Sequence, residues 1–370
     1  MRCQIESKEL AGLIDAARPF LPKATTMPVL EYFRLEAKED CLYCTATDLK
    51  IGVTVSAEAT VPPGAEGTVL LPGKLFSDLV RSFPSGVKVE LEAGKSSCTV
   101  LCGKSRTELT VIEQEQYPAP PEQEKDALRF TVPADTLKKA LKQVLVVVGG
   151  EMWDAVLFDF DGEKVNLVAT DSHRLALYEG LVEVKSDPRE VVLPADGLEA
   201  LAKILPDGQA VEVLVGPSLA YFTCGGVRAF TAMLNRSFPK YRQVLPAEPK
   251  AGLLADRREL VDALERISLL VDTSRQVRYC LLSLNGSVTL EASSDTGNAY
   301  ETLSAVETEG EIKIAFNPSY LAKILRVTPE DRVSLRFTEP LRPITVHSEK
   351  CLYLVLPVRT PETQQQGGGA

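Results

Sequence analysis

The sequence predicts an α+β chain made of three copies of one module, each with two helices and several short antiparallel strands. Three observations predict it. Leu71-Pro-Gly-Lys-Leu-Phe-Ser-Asp-Leu-Val-Arg-Ser-Phe-Pro, Leu193-Pro-Ala-Asp-Gly-Leu-Glu-Ala-Leu-Ala-Lys-Ile-Leu-Pro and Phe316-Asn-Pro-Ser-Tyr-Leu-Ala-Lys-Ile-Leu-Arg-Val-Thr-Pro share one pattern and start 122 and 123 residues apart. Ala46-Thr-Asp, Ala169-Thr-Asp and Ser293-Ser-Asp place Asp48, Asp171 and Asp295 at steps of 123 and 124. Ser7-Lys-Glu-Leu, Asp135-Thr-Leu-Lys and Asp256-Arg-Arg-Glu-Leu bring Leu10, Leu137 and Leu260 into register. A period this long is a whole domain rather than a solenoid turn.

Each element follows from local pattern. The first set pairs a strand end with apolar residues at i, i+3, i+4 and i+7, which is one face of a helix. Alternating strands follow at Val87–Leu91, Val211–Val215 and Val333–Phe337. The third set opens an earlier helix in each unit, with Ser7 and Asp256 at expected N-caps. Six helices are expected over residues 6–22, 74–84, 134–146, 195–206, 256–270 and 318–327. Pro- and charge-rich stretches, Tyr117-Pro-Ala-Pro-Pro-Glu-Gln-Glu-Lys and Phe238-Pro-Lys-Tyr-Arg to Glu248-Pro-Lys, mark the borders. The expected domains are 1–126, 127–249 and 250–360, with 361–370 a disordered tail rich in Gln and Gly.

Composition narrows the function classes. The 370 residues are 45% hydrophobic and 25% charged, as in ordinary globular proteins. Apolar runs such as Val144–Val148 are too short to span a bilayer. The opening Met1-Arg-Cys-Gln-Ile-Glu lacks a signal peptide's apolar stretch, so a cytoplasmic protein with no membrane partner is expected. Cys41-x-x-Cys44 with Cys98 and Cys102 could hold zinc. However, the second spacing is uncommon for ligands and both segments read as strands, so buried thiols and no metal are expected. Asp171-Ser-His-Arg offers Asp, Ser and His. Neighbours on a strand face alternate ways, and no phosphate loop, metalloprotease helix or nucleophile elbow is present. Only His173 and His347 are available as imidazole bases. No enzyme and no cofactor are expected.

Four ordered motifs carry a resemblance across the chain except its tail. They are Ala169-Thr-Asp-Ser-His-Arg-Leu-Ala, Phe238-Pro-Lys-Tyr-Arg-Gln-Val-Leu-Pro, Phe316-Asn-Pro-Ser-Tyr and Tyr353-Leu-Val-Leu-Pro-Val-Arg. Together, on a triplicated frame, they resemble the bacterial DNA polymerase III beta subunit family, the sliding clamps. The resemblance implies three clamp domains, each with two inner helices and outer antiparallel sheets, and a head-to-tail homodimer closing a six-domain ring round double-stranded DNA without regard to sequence. It also implies partners: the polymerase III alpha subunit, the clamp loader and other proteins carrying a clamp-binding motif. Helix width tests the implication. At about 10 Å per helix, six helices line a circle leaving a hole of only ~9 Å, whereas twelve leave ~28 Å, enough for a duplex roughly 20 Å wide. A single chain is too small to surround DNA.

The resemblance assigns residues. The seam would place Lys104, Arg106 and Leu109 against Leu269, Leu270, Asp295 and Glu301, with Thr107 where an aromatic is common. A peptide pocket, accepting Gln-Leu-x-Leu-Phe-like segments, would use Trp153, Thr170, His173, Arg174, Leu175, Pro239, Val244, Asn317, Tyr320, Leu354, Val355, Leu356, Pro357, Val358 and Arg359. Trp153 stands where an aliphatic wall residue is common, and Gln243 where Arg is common. The formal charge of −10 argues against DNA when taken alone. The six expected helices, however, hold 13 basic and 11 acidic residues, which leaves the acidity elsewhere. DNA-facing candidates are Lys23, Lys74, Arg81, Lys138, Lys139, Lys142, Arg257, Arg258, Lys323 and Arg326. Weak contact suits sliding, because enclosure prevents escape and phosphate attraction alone is sequence-independent.

Overall fold

A computed structural model describes residues 1–112, 116–122, 127–149, 153–246, 248–271 and 278–360. The expected disordered tail lies outside the described residues. Six α-helices are present among those described: α1 Ser7–Ala17, α2 Gly73–Arg81, α3 Ala134–Leu145, α4 Ala195–Ile204, α5 Arg257–Ser268 and α6 Pro318–Val327. None of them is long and apolar enough to cross a membrane.

The helix ends differ from expectation for local reasons. The first stops at Ala17 because Pro19 supplies no amide donor, and a 3-10 turn follows at Arg18–Phe20. Ser7 is not the N-cap; Glu6 holds that position, and the Ser7 hydroxyl donates to the Pro84 carbonyl at 2.8 Å. Asp256 does cap α5, accepting from the amides of Arg258 and Glu259. Asn317 caps α6 by accepting from Ser319 N.

Chain contacts divide the protein into two units. The first comprises Met1–Lys138 with Asp196–Leu234. It holds a four-stranded sheet in the order Arg2–Glu6, Lys88–Ala93, Ser97–Cys102, Ser105–Thr110. It also holds an eight-stranded sheet in the order Gly67–Pro72, Tyr32–Lys38, Cys41–Thr47, Ile51–Glu58, Val227–Ala232, Leu219–Cys224, Ala210–Val215, Leu128–Pro133. Leu10, Ile14, Phe20, Phe33 and Phe76 are buried where α1 packs against α2 and the sheet.

The second unit comprises Lys139–Ala195 with Asn235–Ala370. Its nine-stranded sheet runs Arg189–Pro194, Ala155–Phe160, Lys164–Thr170, Arg174–Glu183, Cys351–Val355, Ile344–Ser348, Arg332–Phe337, Ala251–Asp256, Ala305–Glu309. Its four-stranded sheet runs Gly297–Leu303, Val288–Ser294, Cys280–Leu284, Ile312–Phe316. The helices α5 and α6 pack on one another, and Phe316, Phe337 and Tyr353 are buried.

Both long sheets are spliced from two repeats. In the first unit, strand Ile51–Glu58 pairs antiparallel with Val227–Ala232, and Val53 faces Ala229. In the second, Arg174–Glu183 pairs with Cys351–Val355, and Ala176 faces Tyr353. Gly52 is required at the first splice, because a Cβ there would collide with the Phe230 ring. The cysteines are dispersed: Cys41 and Cys44 lie on a strand of the eight-stranded sheet, Cys98 and Cys102 on a strand of the four-stranded one.

Candidate functional site

The loop between strands Lys164–Thr170 and Arg174–Glu183 is built by its own side chains. Thr170 Oγ1 donates to the Arg174 carbonyl (2.6 Å) and accepts from Ser172 N (3.2 Å). Asp171 Oδ1 accepts from the amides of His173 (2.9 Å) and Arg174 (2.7 Å). These bonds hold Ser172 at φ 72°, a left-handed conformation that costs a non-glycine residue energy. The first repeat builds the same loop. Thr47 and Asp48 play the same parts, and Leu49 sits at φ 76°. What differs is position 174. Arg174 sends Nε and NH2 to Asp171 Oδ2 (3.0 and 2.7 Å) and NH1 to the Val146 carbonyl (3.1 Å). Its Cζ lies 4.5 Å from the Tyr320 ring centre, and His173 stacks on the same ring at 5.9 Å. Arg174 and Asp171 are both buried, so this ion pair is structural: removing either partner would strand a charge.

Beside this loop lies a cavity of about 180 Å³. Eight of the fifteen residues expected to take a peptide line it: Thr170, His173, Arg174, Leu175, Pro239, Val244, Leu354 and Leu356. Leu356 is held there by its amide, which donates to the His173 carbonyl at 2.9 Å. Val244 and Leu356 line the cavity and remain exposed. The other seven stand outside the wall. Tyr320 backs His173 and Arg174. Trp153 packs edge-on against Phe238 at 5.7 Å, with the Arg236 guanidinium over it. Asn317 is occupied in capping α6. Val355 is fully buried, because it alternates to the opposite face from Leu354 and Leu356. The Val358 amide bonds Ala315 O at 2.7 Å, which leads Pro357 and Arg359 past the cavity.

Three lining residues were not expected: Ser172, Lys240 and Tyr241. All sit inside quoted motifs, and their spacing carried the signal. The Tyr241 hydroxyl donates to buried Asp159 Oδ2 (2.5 Å), and Arg242 NH2 donates to the same oxygen (2.6 Å). Burial, followed by the bond to Asp159, pushes the Tyr241 phenol well above its usual range. The segment Pro239–Val244 is thereby pinned to the sheet. Asp171 is engaged by the Arg174 guanidinium and by the amides of His173 and Arg174, so its carboxylate is not free to orient the His173 ring as a triad would require.

The three repeats match three family models in order: the N-terminal domain of the DNA polymerase III beta subunit over residues 1–121, the central domain over 131–240 and the C-terminal domain over 242–359. The chain belongs to the DNA polymerase III beta subunit family. A beta sliding clamp of Streptomyces coelicolor is 30% identical, with 97% of this chain and 99% of that protein covered. The Bacillus subtilis beta sliding clamp is 27% identical over 97% of this chain and all of its own. The crystal structure of the DNA polymerase sliding clamp from Bacillus subtilis superposes with a TM-score of 0.88 at 26% identity, covering 97% of this chain and 99% of that one. Members of this clamp family are non-catalytic processivity factors of DNA polymerase III, and this chain is a DNA sliding clamp.

The basic residues assigned to DNA fall into two groups. Arg81 pairs with Asp15 (2.7 Å), Lys139 with Glu349 (2.7 Å), Lys138 with Asp207, and Arg326 with Glu265 (Nε at 3.0 Å). Arg257 donates to the Glu330 carbonyl (2.7 Å). Lys23, Lys74, Lys142, Arg258 and Lys323 are exposed and have no carboxylate at ion-pair distance among the described residues. Lys23 lies beyond α1, in the loop after Phe20.

The seam residues sort by strand face. Ser105–Thr110 and Gly297–Leu303 each end a four-stranded sheet, paired on one side among the described residues. Lys104 and Arg106 are exposed, as are Asp295 and, at 82%, Leu269; Leu270 is half-buried. Leu109 is 5% exposed within the single chain, because it alternates inward from Arg106, Glu108 and Thr110. Glu301 is engaged within its own chain by Arg266, through two bonds of 2.7 and 2.8 Å. Tyr300, on the same edge strand, is 64% exposed and was not among the expected seam residues.

Proposed function

We propose that two copies of this chain close head to tail into a ring that holds duplex DNA by enclosure, and that partners dock peptides in the cavity beside Arg174. The observation that carries the ring is the splice. Each repeat contributes one strand able to join the next repeat, and the same join occurs twice within the chain. Ala46, Ala169 and Ala292 face Val53, Ala176 and Ala299 across their hairpins. Val227, Cys351 and Ser105 each open the strand that a repeat offers for joining, opposite Cys224, Ser348 and Cys102 across its hairpin. The completed joins set Val53 against Ala229 and Ala176 against Tyr353, in each case two residues into that strand. By the same rule the third join sets Ala299 against Thr107 and Tyr300 against Arg106. One chain carries both halves of this third join at its two repeat ends. A second copy supplies the complement, and the heterologous contact closes.

Small Thr107 facing small Ala299 leaves little apolar contact on the helix side of the seam, so its adhesion falls to Arg106 with Tyr300 and to Leu269. The proposed modules are residues 1–126, 127–249 and 250–360. Lys23, Lys74, Lys142, Arg258 and Lys323 would meet phosphates directly. Arg81, Lys138, Lys139, Arg257 and Arg326 would present tempered charge, which favours sliding over arrest. In the cavity, Leu and Phe anchors are each worth about 1.5–3 kcal/mol when fully buried. Two anchors less ordering costs give weak, exchangeable binding, suited to the polymerase III alpha subunit, the clamp loader and other motif-bearing proteins in turn. The expected compartment is the cytoplasm.

Retention on DNA tests the reading. Clamp loaded on nicked circles should stay after a high-salt wash and leave when the circle is linearised. Equal retention on both forms would defeat enclosure.

A further inference from the structure

We infer that Lys240 makes the cavity select peptides that carry a carboxylate beside their apolar anchors, an inference that rests on the peptide-docking reading above. Lys240 lines the cavity, is exposed, and has no carboxylate within ion-pair distance among the described residues. The carboxylates of the surrounding framework are already engaged. Asp171 is held by Arg174 and two amides. Asp159 is held by Tyr241 and Arg242. Among the described residues no Asp or Glu lines the cavity, while His173 and Lys240 both do. A docking peptide therefore meets a largely apolar slot whose lining holds one lysine with no carboxylate at ion-pair distance among the described residues, on a chain whose total charge is −10.

Position makes Lys240 effective. Its backbone is fixed: its carbonyl accepts from Gln243 N at 3.1 Å, and the Tyr241–Asp159 bond anchors the next residue. The ammonium thus moves on its side-chain stem alone, beside the cavity that Lys240 lines. Attraction between exposed charges is modest and screened by salt, so the effect is a bias among partners rather than the source of binding. Acidic and uncharged peptides of equal anchors should differ about two- to fivefold at low salt.

The test uses synthetic peptides built on Gln-Leu-Ala-Leu-Phe, labelled for fluorescence anisotropy. Each carries Asp, Ala or Lys at the residue before, between or after the anchors. The readout is the ratio of Kd between the Ala and Asp versions in each protein. In the unaltered clamp the ratio should reach about two to five at one of these positions and fall towards one in high salt. Lys240→Arg should keep it, Lys240→Gln should abolish it, and Lys240→Glu should invert it in favour of the Lys peptide. An equal ratio in the unaltered and Gln proteins would overturn the inference while leaving the docking reading intact. Failure of the Ala peptide to bind the unaltered clamp would overturn both.

Discussion

If the proposed seam holds, replacing Tyr300 with Ala should weaken the dimer far more than it disturbs the fold. Tyr buries about 150–250 Å² when fully enclosed. At 64% exposure, about 130 Å² of Tyr300 is available to a partner. A neighbouring strand covers one side, about half of that, which at about 25 cal/mol/Å² contributes about 1.6 kcal/mol. A closed dimer has two seams, so the loss is about 3 kcal/mol and the dimer Kd rises roughly two-hundredfold. Sedimentation velocity over a dilution series reads the change as a shift from twice 40.3 kDa towards 40.3 kDa. The register adds a sharper demand. Arg106→Ala and Tyr300→Ala should not be additive, because a guanidinium facing a ring is worth about 0.5–1 kcal/mol at an exposed site, and the coupling counts twice. Leu75→Ala, which removes another exposed apolar side chain away from the edge strands, should leave the dimer untouched. Additive effects of the Arg106 and Tyr300 changes would refute the deduced register. An unchanged mass profile for Tyr300→Ala would refute the seam itself.

Four further outcomes are expected. Arg174→Ala strands buried Asp171 and should cost about 3–5 kcal/mol in denaturant unfolding, with loss of peptide binding. Tyr241→Phe removes one of two side-chain donors to Asp159 and should cost about 1–2 kcal/mol by the same measurement, loosening the cavity wall first. The amide of Glu259, with that of Arg258, holds the Asp256 carboxyl below its ordinary range, so its capping contribution is complete above the unfolded pKa and is lost as pH falls through the depressed one. Thermal unfolding of Asp256→Asn, compared with the unaltered protein down the acid limb, should show a shallower loss. Changing Lys142, Arg258 and Lys323 together to Ala should lower the salt dependence of association with DNA while leaving retention on closed circles unchanged, as read by surface-bound plasmid assays.

The fold was legible in the sequence because its signals are periodic. Leu10, Leu137 and Leu260 keep register, and each is fully buried on the helix that spacing assigned to it. The loop at Asp171 was legible as a motif, since Thr, Asp and Arg at that spacing can satisfy one another. Side-chain direction at the strand edges was not. The sequence named Leu109 and passed over Tyr300, and only pairing shows that the first alternates inward while the second stays exposed; that register is a tertiary property. Lys240 and Tyr241 were overlooked because a charged and a phenolic residue within a Pro-flanked segment read as surface. Only the bond from Tyr241 to Asp159, 82 residues away, turns that segment into a wall. Ser7 was misplaced by one position because its hydroxyl found a distant carbonyl, Pro84, in place of its own helix.

The splices have a consequence for how the molecule ages and evolves. Strands of the central repeat are laced into the sheets of both its neighbours, through Val227–Ala232 on one side and Arg174–Glu183 on the other. Excised alone, it would bare two raw hydrogen-bonding ribbons and should precipitate. Melting should therefore be collective, and a transplant between related proteins should succeed only when the bordering strands travel with their mates.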